Sequence, residues 1–214
     1  MEKLDYKKEY KDLYMPKAKP SVIQVPEMIF AMVDGKGNPN EEGGDYQKAL
    51  ELLYGISFTI KMSKMKHNEP EGYFDYVVPP LEGLWCLEKE KINDFFITDK
   101  SAFRWTSMIR QPEFVTEQVF QWAVNQLKNK KPELDTSKIR YEKMKEGLCV
   151  QMMHIGPYDN EPKTIQAIED FIQENGYAND ISNQRRHHEI YLGDPRKTKP
   201  ENLKTVIRIP VIRK

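Results

Sequence analysis

The sequence predicts one α+β domain made of two related halves. Strand, glycine-containing break, helix, strand, turn and strand follow one another in residues 22–88, and the same succession returns in residues 141–212. This period is far longer than that of solenoid repeats. Neither half could cover its own sheet, so we expect their strands to pair and to leave a groove between the sheet and two helices. Residues 89–140 are then a partly helical insertion, and residues 1–20 an N-terminal arm ahead of a domain that spans 21–214.

The elements of the first half are predicted from apolar periodicity and turn residues. Residues 22–33 are apolar and rich in β-branched side chains, which is typical of strands, and a turn-forming break follows at residues 34–39. Apolar residues recur at helical spacing over residues 45–60, which predicts a helix of roughly four turns. Two more strands are predicted at residues 73–78 and 81–88, joined by a proline turn.

The insertion is predicted to contain two extended segments and one helix. The extended segments, NDFFIT and AFRWTSMI, occupy residues 93–98 and 102–109. The helix is expected to begin at Pro112, because proline is tolerated in a first turn and the glutamates after it suit the helix dipole. Pro132 stops this helix, and its apolar face consists of Val115, Val119, Trp122 and Leu127.

The second half repeats the order of the first. Residues 147–155 form a predicted strand, and a Gly-Pro-Tyr break follows it. Three isoleucines at helical spacing mark a helix that ends at Asn175-Gly176, a pair that suits a helix C-cap. Residues 187–192 and 204–212 are the last two predicted strands. In the N-terminal arm, tyrosines recur every four residues at Tyr6, Tyr10 and Tyr14, and we expect this stripe to pack on the domain.

Composition limits the class of protein. Lys plus Arg and Asp plus Glu each number 33, so the formal net charge is zero and no global field attracts nucleic acid. The two cysteines, Cys86 and Cys149, lie far apart and indicate a reducing compartment rather than a disulfide scaffold. The charged N-terminus is not a signal peptide, and no run approaches the roughly 18 apolar residues of a membrane span. We therefore expect a soluble, cytoplasmic protein.

The sequence His187-His188-Glu189 contains the most informative ionisable residues. Neighbours in a strand point to opposite faces, so His187 and Glu189 share a face and His188 points away. One His/Glu pair is a weak ligand set, and we expect neither a metal nor a cofactor. Glu189 has two open interpretations: an outward residue on a solvated strand, or a carboxylate inside an apolar groove. A groove carboxylate could recognise a cation or act as a base.

Three tryptophans are candidates for core or groove positions. Trp122 is in phase with the apolar face of its helix and is interpreted as core. Trp85 and Trp105 lie on strand-like segments, where core packing is the first expectation for each and a position on the groove wall is the alternative. Aromatic faces hold cations and planar ligands, so such positions would favour binding.

Two segments together carry a resemblance to a known family. HIGPYDNEPKTIQAIEDFI at 154–172, followed by HHEIYLGDPRKTKPENLKTVIRIPV at 187–211, resembles the C-terminal half of GyrI-like ligand-binding domains. The shared pattern is H-x-G-P-Y, a helix, E-x-Y-x-x-D-P, and a strand that ends in Ile-Pro-Val. VVPPLEGLW at 77–85 resembles the stand-alone branch of this family rather than its transcription factors.

The resemblance implies a fold and a site. The fold is a duplicated βαββ arrangement with an antiparallel sheet, and ligands bind between the halves. In drug-sensing members the glutamate of E-x-Y meets cationic aromatic drugs, and Glu189 holds that position here. The tyrosine of G-P-Y, here Tyr158, lies near the same cleft. Some stand-alone members are hydrolases that open the cyclopropane ring of DNA-alkylating natural products within an aromatic cage, for which Trp85 and Trp105 are the candidates.

These observations together predict a xenobiotic-binding protein with a hydrolytic, detoxifying activity as the further hypothesis. Glu189 is the expected base and Tyr158 the hydrogen-bond donor to a developing phenolate. The expected ligand-binding residues are Trp85, Trp105, Tyr191 and Glu189, with an aromatic or cationic small molecule as partner. Two alternatives remain: passive drug sequestration, and modulation of another protein. The chain lacks a helix-turn-helix, so direct nucleic-acid binding is not expected, and neither is a membrane.

Overall fold

The computed structural model describes residues 3–87 and 100–214, so the predicted extended segment at 93–98 lies outside the described residues. Five helices occur in the described part: α1 Tyr6–Glu9, α2 Lys11–Tyr14, α3 Asp45–Lys61, α4 Glu117–Lys130 and α5 Glu161–Glu174. Its strands are β1 Ser21–Lys36, β2 Leu81–Leu87, β3 Phe103–Arg110, β4 Ile139–Ile155, β5 Tyr177–Asn179, β6 His187–Tyr191 and β7 Lys204–Arg213. None of the helices described is long and apolar enough to cross a membrane.

Six of the strands close into an antiparallel barrel. The hydrogen-bonded order is β4-β1-β3-β2-β6-β7, and β4 also pairs with β7, which joins the two ends of the sheet. The short strand β5 pairs with the C-terminal end of β7, at residues 211–213. The longest pairing joins β1 to β4, from Ser21 opposite Gln151 to Val33 opposite Ile139. Closure leaves these six strands with neighbours on both sides.

The two halves have the same order and the same pairings, which confirms the duplicated βαββ prediction. The first half is β1-α3-β2-β3 and the second is β4-α5-β6-β7, with β5 added after α5. Pairings β1–β3 and β2–β3 correspond to β4–β7 and β6–β7, and the halves are joined by β1–β4 and β2–β6. Strand β3, which we placed in the insertion, therefore completes the first half.

Two predicted elements were wrong, and β4 begins at Ile139 rather than at the predicted residue 147. Residues 73–78 are not a strand, because their aromatic side chains pack around Phe114, and their backbone makes one isolated bridge, between Tyr76 and Leu4 of the arm. Helix α4 begins at Glu117 rather than Pro112, because the Thr116 side chain accepts a hydrogen bond from a backbone N–H of the first turn and caps the helix there. The two predicted groove-flanking helices are present as α3 and α5.

The outer face of the barrel packs against the helices. Helix α3 covers β1 and β3, and α4 packs against α3, in a cluster that includes Leu53, Ile56 and Phe120. Helix α5 covers β4 and β7 with Ile168 and Ile172. Trp122, which we interpreted as core, packs against the first cluster but is only half-buried. Within residues 3–87 and 100–214, no helix lies over β2 and β6, which form the outer face between α3 and α5.

The barrel interior is filled by apolar side chains and by the N-terminal arm. Tyr6 and Tyr14 are each 1% exposed, and Tyr10 stacks on Tyr6 with ring centroids 5.6 Å apart. The stripe thus packs on the domain, although the arm forms two short helices rather than one. The guanidinium of Arg110 lies over the rings of Tyr6 and Tyr10, at 4.6 and 4.5 Å from their centroids.

A buried charge cluster lies in the same interior. His188 lies 3.0 Å from a carboxylate oxygen of Glu82 and 3.1 Å from Glu146, and Arg208 Nη1 donates to Glu146 at 2.9 Å. Arg208 Nη2 also donates to the carbonyl of Leu13 in the arm, at 3.0 Å. Two carboxylates thus face two cations, and the cluster is tied directly to the arm.

Candidate functional site

The candidate site is the groove on the outer face of the barrel, between α3 and α5. Antiparallel pairing of β2 with β6 sets Gly83 opposite Glu189 and Trp85 opposite His187. Alternate residues of each strand face the groove, and the residues between them face the barrel interior. The groove is lined by side chains from both halves, among them Tyr46, Trp85, Tyr158, Glu161, Glu189 and Tyr191.

Glu189 lies in the groove, at the end of a short hydrogen-bond chain. Its side chain is 15% exposed. His187 Nε2 lies 3.1 Å from Glu189 Oε1, and the Tyr191 hydroxyl donates to Glu189 Oε2 at 2.6 Å. The indole N–H of Trp85 in turn donates to the Tyr191 oxygen at 2.8 Å. Of the two interpretations open for Glu189, the structure has the inward one, with both carboxylate oxygens held in place.

Gly83 makes room for this chain. A Cβ atom at this position would stand 2.6 Å from Trp85 Nε1 and 3.3 Å from the Tyr191 hydroxyl. A separation of 2.6 Å is shorter than any ordinary carbon–nitrogen contact, so a side chain would displace the indole. The absence of a side chain opposite Glu189 is therefore what allows Trp85 and Tyr191 to meet above the strand pair.

Aromatic rings surround the carboxylate. The Tyr46 ring lies 5.8 Å from Trp85, and Phe103 meets Trp85 edge-on at 5.3 Å. On the α5 side, Tyr158 meets Tyr191 edge-on at 5.9 Å. Burial and the neighbouring Glu161 and Glu189 carboxyl groups raise the pKa of Tyr158 to about 12, so its hydroxyl keeps its proton.

Trp105 takes a different place from Trp85. It is 1% exposed and lies beneath the groove, where its ring meets the edge of Tyr46 at 5.0 Å. The ring rests directly on Gly35, whose hypothetical Cβ would stand 2.1 Å from it. It is also absent from the lining of the groove, so Trp105 supports the wall from below while Trp85 forms part of it.

Glu161 is a site residue that the sequence did not reveal. It is 8% exposed at the first turn of α5, and its Oε1 is buried without a hydrogen-bond partner. Burial, followed by the charge of Glu189, raises the pKa of Glu161 well above its ordinary value. In the sequence, an acidic residue there looks like an ordinary partner of the helix dipole. Only the folded chain brings it toward Glu189.

The site as a whole combines flat aromatic walls with two carboxyl groups of different character. Glu189 has a hydrogen-bond partner at each of its oxygens, whereas Glu161 is buried and its raised pKa favours the protonated form. In residues 3–87 and 100–214, no group of three or more His, Cys, Asp or Glu residues is arranged to hold a metal ion. Apolar walls with a few convergent polar groups are the usual form of a small-molecule site.

The fold and the site define a small-molecule-binding protein of duplicated βαββ architecture. The chain belongs to the GyrI-like small molecule binding domain family, whose model matches residues 18–212. No curated protein matches the chain. Three crystal structures from Listeria innocua are similar over almost the whole length. An uncharacterized conserved protein is 51% identical with a TM-score of 0.92, covering 98% of this chain and 100% of its own.

Two further Listeria innocua structures are named as hydrolases. One is 49% identical to this chain, with a TM-score of 0.87, and covers 98% of this chain and 100% of its own. The other is 50% identical, with a TM-score of 0.89, and covers 99% of this chain and 100% of its own. These likenesses extend over both halves and therefore over all the elements that form the groove.

Proposed function

We propose that the chain binds planar aromatic molecules, preferentially cationic ones, with Glu189 as the central charged contact. The observation that carries this proposal is a carboxylate, 15% exposed, at the floor of a groove with aromatic rings on both sides. A flat ligand between Trp85 and Tyr158 would contact ring faces and edges, and its positive charge would meet Glu189. Such a cation is stabilised twice, by the carboxylate and by the ring quadrupoles.

The same site supports hydrolysis of a reactive ligand. Two proteins about half identical to this chain are named as hydrolases, which favours an enzyme over a passive binder. The substrate class is then a cyclopropane conjugated to a dienone, as in DNA-alkylating compounds, and the role is detoxification. Glu189 removes a proton from water as its oxygen attacks the ring carbon. The carbon–carbon bond breaks, its electrons form a phenolate, and the Tyr158 hydroxyl donates a hydrogen bond to that oxygen.

Passive sequestration is the second candidate. One observation favours it: both oxygens of Glu189 already have partners, His187 and Tyr191. A carboxylate whose two oxygens are both occupied has less room to take a proton from water, yet it can still contact a cation. Turnover therefore decides between the two candidates.

Glu189→Gln tests both candidates in one variant, because it keeps the size of the side chain and removes the charge and the base. Binding is measured by fluorescence titration with the N-methylacridinium cation and with neutral 9-methylanthracene. We expect roughly tenfold weaker binding of the cation and little change for the hydrocarbon. With a spirocyclopropyl cyclohexadienone as substrate, we expect a rate loss on the order of 10²- to 10⁴-fold.

Glu27→Gln is the matched control, because Glu27 is an exposed glutamate on β1. It should leave binding and turnover at the wild-type level. If the wild type binds the cation but does not hydrolyse the dienone, the chain is a passive binder of this class. If Glu189→Gln folds normally and changes neither quantity, Glu189 is not the centre of the site.

A further inference from the structure

The Glu161 carboxyl group is unusual for a helix-terminal acid. The residue is 8% exposed, although acidic residues in first turns are ordinarily solvated. The side chain of Thr205, on β7, lies beside the carboxyl group and favours its ionised form. One carboxyl oxygen, Oε1, is buried and has no partner. Glu161 also lines the groove, so its carboxyl group borders the space that a ligand would fill.

The segment before Glu161 is held rigidly, so this placement is built into the fold. The ring of His154 bridges the start of α5, with Nδ1 2.9 Å from Thr164 Oγ1 and Nε2 3.0 Å from the carbonyl oxygen of Pro157. Both His154 and Thr164 are buried. These contacts fix the first turn of α5 against β4, and with it the position of Glu161.

The groups that face Glu161 disfavour its ionised form. Glu189 and Tyr191 face it from β6, Thr205 from β7, and Tyr158 and Asp159 from the turn before α5. Of these, Glu189 and Asp159 raise the pKa of Glu161 through their negative charge, and Thr205 lowers it. A second buried carboxylate beside Glu189 would be costly. The protonated form avoids that cost and leaves one O–H group free to donate.

We propose that Glu161 is a second ligand-binding residue, a neutral carboxylic acid that donates a hydrogen bond to an oxygen acceptor on a planar aromatic ligand. The proposal rests on the proposed function of the groove and narrows its ligands to molecules with a carbonyl or similar oxygen. A ligand without this acceptor would bury the Glu161 O–H unpaired, which weakens its binding. Glu189 binds positive charge, and Glu161 recognises oxygen.

A matched pair of probes tests the proposal. One is fluorenone and the other fluorene, each with the same trimethylammonium substituent. Both have a planar ring system, and the substituent gives both a permanent positive charge. They differ at one position, which is a carbonyl group in fluorenone and a methylene group in fluorene. We expect the wild type at pH 7 to bind the ketone roughly five- to tenfold more tightly, as measured by fluorescence titration. Glu161→Ala should abolish this preference, whereas Glu161→Gln should keep it, since its amide N–H can also donate.

Alkaline pH provides a test that does not depend on the alanine variant folding. The preference of the wild type for the ketone should disappear as Glu161 ionises, and that of Glu161→Gln should stay constant over the same range. Equal binding of both probes by the wild type at pH 7 would overturn the role of Glu161 and leave the proposed function intact. Failure to bind either probe would instead refute the proposed function. A ketone preference that Glu161→Ala retains would also overturn the assignment.

Discussion

The buried cluster of His188, Glu82, Glu146 and Arg208 makes stability depend on pH in a defined direction. Burial alone would lower the pKa of His188, but the carboxylates of Glu146 and Glu82 outweigh it and raise that pKa to about 9. A group whose pKa is higher in the folded than in the unfolded state stabilises the fold below its unfolded pKa. This contribution is lost as the pH rises from about 6.5, the unfolded value, through 9.

The size of the loss follows from the shift. Each pKa unit corresponds to about 1.4 kcal/mol, so a rise from 6.5 to about 9 gives roughly 3 kcal/mol between pH 6 and pH 9. His188 is fully buried, so solvent does not screen its partners. A chain of this length changes its Tm by about 2–4 °C per kcal/mol. We therefore expect Tm to fall by about 6–12 °C over this range.

The assay is thermal unfolding at pH 6, 7, 8 and 9 in the Glu161→Gln background. This background is needed because the pKa of Glu161 is also raised in the folded state, so the wild-type Glu161 would also lower the stability of the fold as the pH rises. His188→Gln in the same background should remove most of the dependence. It should also lower Tm at pH 6, since it leaves two buried carboxylates facing Arg208 alone. The reasoning is refuted if Tm of the Glu161→Gln background stays constant from pH 6 to 9, or if adding His188→Gln leaves its slope unchanged.

Two further predictions concern the tryptophans and the two halves. A planar ligand should quench tryptophan fluorescence, and Trp85→Ala should weaken its binding by roughly 1–3 kcal/mol, while Trp105→Ala should mainly lower Tm. Equal affinity losses in both folded variants would contradict the placement of Trp105 beneath the groove. Residues 1–110 and 141–214, expressed separately, should each fail to show cooperative unfolding by circular dichroism, because β1–β4 and β2–β6 join the halves. A stable separate half would refute a single cooperative domain.

Elements with strong local signals were predictable from the sequence. Helix α5 ends at Glu174 with Asn175 as its C-cap, and Gly176 follows with a φ of 74°, which is the conformation that the Asn-Gly pair predicts. Helix α3 spans the predicted periodic segment and buries Leu53, Ile56 and Ile60. The duplication was visible because each half carries the same succession of breaks and periodic segments. For each helix, and for each break within a half, the information lies within a few neighbouring residues.

The features that were missed depend on distant contacts. Residues 73–78 have the composition of a strand, but Phe114 and the arm provide their partners, and neither is near them in the sequence. Closure of the barrel requires β4 to pair with two strands, which no local pattern states. Glu161 looks like a solvated helix-terminal acid until α5 packs beside β7. Strand alternation left two interpretations of Glu189 open, and the resemblance to the E-x-Y pattern selected it as a candidate. Its proximity to Glu161 is a property of the folded groove.

The strand pair β2–β6 links the groove to the barrel interior through its register. Glu189 faces the groove and the adjacent His188 faces the interior, and on β2 Gly83 and Glu82 divide in the same way. A slip of one residue would exchange the two sets. Glu189 would then enter the apolar interior, and His188 would leave Glu82, Glu146 and Arg208. Because both outcomes are costly, the buried charges and the groove residues specify one register. The charge cluster therefore acts on the site at a distance, by fixing the strand alignment that sets Gly83 opposite Glu189.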